Sequence, residues 1–308
     1  MKLYYFFLLS YSVACFKCPD GSWPDKRKAI CNPKTVEHLT FDDPLGTVLT
    51  SLSILLSIIP AFILWTFIKF RDTPMVKANN RSLSDFLLAA LSLCFLCSLI
   101  FIGKPHTVSC LLRQPAFGLI FAVCVSSILA KSITVVIVFK TARPGGLQQM
   151  WLGSRTPSII GLVCAVVQVI ICTVWLEYAP PFPEKNIKTY KDKIILECNE
   201  GSIVLLYFML GYLGVLSSVC FLVAFLVRKL PDRYNEAKFI TFSMLIFVSV
   251  WLSFIPAYLS TKGKYVVAVE IFAILSSGFG LLSCIFFPKC YIILLQPDQN
   301  IKVAWKPK

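Results

Sequence analysis

A bundle of seven membrane-spanning α-helices is the fold this sequence predicts, and three observations carry the prediction. Seven apolar stretches fill the chain between about Gly46 and Leu295. Each is close to the roughly 20 residues that cross a hydrocarbon layer as a helix, the conformation that satisfies backbone amides internally where no water can do so. Composition agrees: 57% of residues are hydrophobic, only 15% are charged, and mean hydropathy is +0.74, far from the balance of a water-soluble domain. A membrane β-barrel would instead show shorter segments of alternating polarity.

At the start of the chain, Lys2 precedes the apolar run Leu3 to Leu9, and Ser12, Val13 and Ala14 follow. Residues 1–14 therefore read as a short secretory signal or, alternatively, as a truncated start. Residues 15–45 are polar and carry Cys15, Cys18 and Cys31 in the spacing C-x2-C-x12-C. Zinc would need a fourth ligand, for which His38 is the lone candidate. A fragment of a disulfide-rich module fits better, with one sulfur left over.

The spans read as residues 46–68, 83–102, 114–139, 157–177, 202–227, 239–260 and 265–287, followed by a short tail at 296–308. Pro60, Pro115, Pro256 and Pro288 fall in or beside spans, where they are expected to kink or end helices. Gly211, Gly214, Gly278 and Gly280 permit close helix packing. The longer connections are residues 140–156 and 178–201, and no internal repeat suggests a carrier built from inverted halves.

Charge orients the bundle. The loops after the first, third and fifth spans carry Lys69, Arg71, Lys140, Arg143, Arg228 and Lys229 among others, and short basic loops stay inside. The N-terminus is therefore expected outside a plasma membrane. Cys110, at the start of the third span, and Cys198, just before the fifth, share that outer side, where disulfides form; a bridge between them would pin the long loop over the bundle mouth. Cys94, Cys97, Cys124 and Cys284 lie in or near spans and read as small packing residues. The net charge of +14 suits anionic membrane lipid, not nucleic acid. With two scattered histidines, His38 and His106, and no phosphate-binding glycine loop, the sequence predicts neither an enzyme nor a cofactor.

Five runs carry a likeness to a known family: FIKFRDTPMVKANNRSLS from Phe67, CLLRQPAFG from Cys110, YNEAKFITFSML from Tyr234, WLSFIPAYLSTKGK from Trp251 and FFPKCYIILLQP from Phe286. They resemble the family C G-protein-coupled receptors, in the branch of calcium-sensing, vomeronasal type-2 and fish olfactory receptors. Such receptors carry a large bilobed extracellular domain and then a cysteine-rich domain. The segment ACFKCPDGSWPDKRKAIC from Ala14 resembles the end of the latter. The resemblance implies a Cys15–Cys31 bridge, with Cys18 bonded to a cysteine farther upstream.

The same resemblance implies two sites. Lys131 and Glu236 match the family's ionic lock, a latch on the inactive state; the alternative is a snorkelling Lys131 and a solvated Glu236. Arg113, Phe117, Trp251, Phe254 and Glu270 match an allosteric small-molecule pocket, the alternative being that the aromatics only pack. Arg113 or Lys264 would then partner Glu270. Implied partners are a heterotrimeric G protein, met through the basic first loop, ARPGGLQQMWLGSR from Ala142 and RKLPDRYNEAK from Arg228, and a homo- or heterodimer with family C receptors. The implied function is chemosensory or nutrient and cation sensing in the full-length form. Two rival readings are a truncated, non-signalling isoform that modulates intact partners, and a transporter or channel, which would need a polar midplane path.

Overall fold

The structure, a computed structural model, describes residues 17–19, 21–25, 27, 30–73, 76, 81–141, 150–228 and 236–296. Residues 1–14, Cys15, the segment Ala142–Gln149, most of the connection after Arg228 and the tail beyond Gln296 lie outside the described residues.

Seven helices long and apolar enough to cross a membrane make up the bundle: α1 (Pro44–Lys69), α2 (Arg81–Cys97, continued by a 3-10 turn over Ser98–Phe101), α3 (Thr107–Thr141), α4 (Met150–Tyr178), α5 (Ile203–Val227), α6 (Glu236–Ser260) and α7 (Lys264–Leu295). α3 and α7 are the most deeply buried spans, whereas α1, α4 and α6 turn most of their surface outward. That outward surface is apolar, with Leu52, Leu162, Ile170, Leu252 and Leu259 all exposed, as a helix facing lipid requires. Inside, Leu87, Leu91, Phe95, Ile128, Met244 and Ile285 are fully enclosed, and Phe67 of α1 meets Phe286 of α7 edge-on at 5.9 Å.

Helices α1, α3, α4, α6 and α7 run beyond their predicted bounds, and the extensions of α3 and α7 carry charge to the bundle interior. α3 begins at Thr107 rather than 114, passing through Pro115. Its first turns are polar and so escape a hydropathy reading, but they place Cys110, Arg113 and Gln114 on the helix. α7 likewise passes through Pro288 and ends at Leu295, not 287. A carbonyl freed by proline is tolerated where neighbouring helices surround it, and the extra turns put Lys289 on the inner face, 4% exposed.

The fold is all-α with a small β cap that the sequence does not announce. β1 (Ser22–Pro24) and β2 (Cys31–Pro33) form an antiparallel pair. β3 (Thr35–Glu37) runs parallel to β5 (Lys193–Asn199), which is antiparallel to β4 (Phe182–Asn186). The long connection at 178–201 is thus a hairpin that takes the N-terminal segment as its third strand. Glu37 contacts Lys193 at 3.0 Å and Lys264 at 3.4 Å, and Lys264 reaches Asp43 at 2.8 Å. Lys264 therefore anchors the cap to α7 and is not paired with Glu270.

Two disulfides fasten this end. Cys110–Cys198 ties α3 to β5. Cys31 bonds Cys18, not Cys15, their Cα atoms lying 5.8 Å apart, and a sulfur so used has none left for Cys15. Bridging positions 88 residues apart restricts the unfolded chain by about 4 kcal/mol in the chain-entropy view. Cys110→Ser and Cys198→Ser are each expected to lower the thermal midpoint of detergent-solubilised protein, and the double variant to lower it no further; additive losses would show that the two sulfurs act separately.

Candidate functional site

Charged side chains enter the bundle at two places, one near each end. At the end away from the β cap, Glu236 stands in the first turn of α6 and receives two lysines. Lys289 of α7 donates to its Oε1 at 2.6 Å and Lys131 of α3 at 3.4 Å. Lys131 also donates to Ser84 Oγ of α2 at 2.7 Å. Both lysine side chains are almost completely enclosed, at 2% and 5% exposure. Lys131 and Glu236 are brought together, but as two sides of a three-way cluster whose shorter contact is to Lys289.

Buried charges are held in place by each other. An ionised group in a low-dielectric interior costs several kcal/mol unless paired, and removing one partner leaves that cost uncompensated, typically about 3–5 kcal/mol. Four helices share this cluster, so any movement that separates α6 from α3 and α7 takes the Glu236 carboxylate from both lysines.

Beneath the β cap lies a cavity of about 390 Å³. Its floor is aromatic: Trp251 sits 5.3 Å from Phe117 and 5.3 Å from Phe254, with Phe121 beneath at 6.0 Å. Its polar rim joins Gln114, Glu200 and Glu270. Gln114 Nε2 donates to Glu270 Oε1 at 3.1 Å and to Glu200 Oε1 at 3.2 Å. Arg113 pairs with the other Glu270 oxygen and lies against the Phe101 ring at 4.5 Å. Phe117, Trp251, Phe254 and Glu270 line the cavity, while Arg113 stands behind Glu270 as its counter-ion.

Glu200 is the residue that sequence reasoning missed. It occupies the turn between β5 and α5, where its carbonyl accepts from Trp175 Nε1 at 3.1 Å. Gly201 makes the turn, with φ +66° and a missing Cβ that would lie 2.5 Å from the Ala179 carbonyl, a conformation and clearance that glycine supplies. Glu200 Oε2 is buried with no hydrogen-bond partner among the described residues. Burial, and then the Glu270 carboxylate, push Glu200 up to about 7, against the opposing pull of Arg113 and Gln114. Its position two residues after Cys198 was the available signal, since a bridge that pins Cys198 over the bundle also pins Glu200.

The family profile described as "7 transmembrane sweet-taste receptor of 3 GCPR" matches residues 39–289. The chain is 54% identical over 282 residues to vomeronasal type-2 receptor 26 of Mus musculus, covering 92% of this chain and 33% of that protein. It is 48% identical over 303 residues to the extracellular calcium-sensing receptor of Homo sapiens, covering 93% and 28%. It is 40% identical over 293 residues to G-protein coupled receptor family C group 6 member A of Homo sapiens, covering 94% and 31%. The chain thus spans about a third of the length of these relatives.

Glu200 offers a direct test of the rim. A carboxyl whose folded pKa is raised from its ordinary 4.5 to about 7 stabilises the fold while protonated, and that contribution is lost as pH rises from about 4.5 through 7. Glu200→Gln should remove this loss, so the thermal midpoint of the variant relative to the parent should rise by a few degrees across that window. Parallel profiles for parent and variant would show that Glu200 is solvated.

Proposed function

The chain belongs to the family C G-protein-coupled receptors, and from that premise we propose that it transmits a signal from ligand or partner subunit to a heterotrimeric G protein. The β-capped end is extracellular in this reading, supported by the two disulfides there and by basic loops at the other end. The protein sits in the plasma membrane and pairs with another family C receptor. In full-length form it senses a chemical ligand, a nutrient or a cation, in keeping with the names of the vomeronasal and calcium-sensing relatives.

The observation that carries the switch is Glu236 shared between Lys131 and Lys289. The inactive packing is the one in which the cluster is closed, and activation parts the ends of α3, α6 and α7 so that a G protein can enter. A ligand in the capped cavity biases this equilibrium only by its differential affinity for the two packings. The cavity suits a small molecule with an aromatic or alkyl body over Phe117, Trp251 and Phe254 and a protonated amine at the rim, where Glu200 and Glu270 outnumber Arg113.

Glu236→Gln keeps the shape and removes the shared charge, and is expected to raise basal G-protein activation at matched surface expression by about tenfold, equivalent to about 1.4 kcal/mol on a two-state ratio. Lys289→Met should raise it at least as much as Lys131→Met, because Lys289 is the closer partner. Unchanged basal signalling in all three variants would remove the latch from the account. A rise with Lys131→Met alone would mean that Lys289 only neutralises the site.

A further inference from the structure

Asp85 stands in the second turn of α2, directly after the Ser84 that receives Lys131. A carboxylate inside a spanning helix is costly unless a partner answers it. Yet Asp85 Oδ1 is buried and has no hydrogen-bond partner among the described residues. Arg81, one turn earlier, is the cation that an i, i+4 pairing would supply, but its guanidinium donates instead to the Arg71 carbonyl. Lys131 is the second cation that acts on Asp85, across the seam between α2 and α3.

The surroundings leave Asp85 room to turn. It borders a cleft of about 640 Å³ between α2, α3 and α4, with Phe86, Ser126, Ser127, Ser158 and Gly161 among the walls. Ser127 lies one turn before Lys131, so one face of α3 carries both. The hydroxyls of Ser126 and Ser127 donate to the Val123 carbonyl and so do not serve the carboxylate. Lys131 itself is held loosely by α6 and firmly by α2: its contact with Glu236 is 3.4 Å, its bond to Ser84 2.7 Å. An ammonium on a flexible four-carbon stem needs only to pivot about Ser84 to meet the neighbouring carboxylate.

We propose that Asp85 is the second acceptor of Lys131, taking over its ammonium when α6 carries Glu236 away. This rests on the latch proposed above and adds the residue that receives Lys131 in the open packing. The closed packing leaves the buried Asp85 oxygen unmet, and a buried acceptor without a partner is destabilising. The open packing satisfies that acceptor, and it spares Lys131 the desolvation of an unpaired charge. Asp85 therefore narrows the gap between the two packings, as a positioning residue that acts through Lys131.

The test is a mutant cycle on the full chain in nanodiscs, read first as the thermal midpoint, which needs no G protein. Asp85→Asn keeps the shape and removes the charge. In the parent it should change the midpoint little; in Glu236→Gln, where Lys131 has lost that carboxylate, it should lower the midpoint by several degrees. Adding Lys131→Met should abolish the drop, and Asp85→Glu in place of Asp85→Asn should not produce it. If Glu236→Gln fails to fold, Glu236→Asp, which shortens the arm by a methylene, should give the same order in smaller steps. An equal effect of Asp85→Asn in every background, or a drop that persists with Lys131→Met, ties Asp85 to Arg81 or to packing and overturns the proposal. Basal G-protein activation is the second readout: Asp85→Asn should lower that of Glu236→Gln by about tenfold. Thermal coupling without that change leaves the transfer to Asp85 standing and removes the signalling latch on which it was built.

Discussion

One carboxylate joins three helices at the end of this bundle away from the β cap. Glu236 is the negative charge that Lys131 and Lys289 share, and its two partners sit on the two most buried helices. Its loss takes from each lysine the carboxylate it touches, so that the desolvation of the buried ammonium groups is less well offset. In the proposed latch, moving α6 away takes this carboxylate from both lysines at once.

The opposite end is the electrostatic complement. There two carboxylates, Glu200 and Glu270, face one guanidinium, whereas at the latch two ammonium groups face one carboxylate. The same helices carry both arrangements: α3 holds Gln114 and Lys131, and α7 holds Glu270 and Lys289. At 1.5 Å rise per residue each of these pairs is separated by roughly 25–30 Å along its helix. Between them the aromatic stack of Phe117, Phe121, Phe247 and Trp251 fills the space where α6 meets α3. A body lodged against Trp251 thus presses on the helix that ends in Glu236, and close packing transmits such a shift because it leaves little room to absorb one.

Hydrophobic runs made the seven helices legible, because hydrocarbon imposes one solution on a long apolar segment. The same logic hid the places where helices leave the apolar layer. The polar first turns of α3 add little to an apolar run, and Pro288 with Lys289 resembles a helix end. Helical periodicity beyond Pro288 instead returns Lys289 to the inner face. The β cap was hidden for a different reason: β3 and β5 are far apart in sequence, and short strands without strong alternation acquire their partners only in three dimensions. The family likeness gives Cys31 the partner Cys15, whereas the structure bonds it to Cys18, three residues farther along the same segment. That Glu270 needs a cation was readable, since a buried carboxylate must find one; the choice of Arg113 over Lys264 was not.

The central claim is that loss of the shared carboxylate lets α6 separate from α3 at the latch end. It is tested most directly by a distance measurement between spin labels at the latch-end turns of α3 and α6, in the full chain reconstituted in nanodiscs. Replacing Glu236 with Gln should shift the distribution to longer distances and broaden it, while the distance between labels at the β-capped ends of the same helices stays put. Identical latch-end distributions with and without the carboxylate would contradict the account.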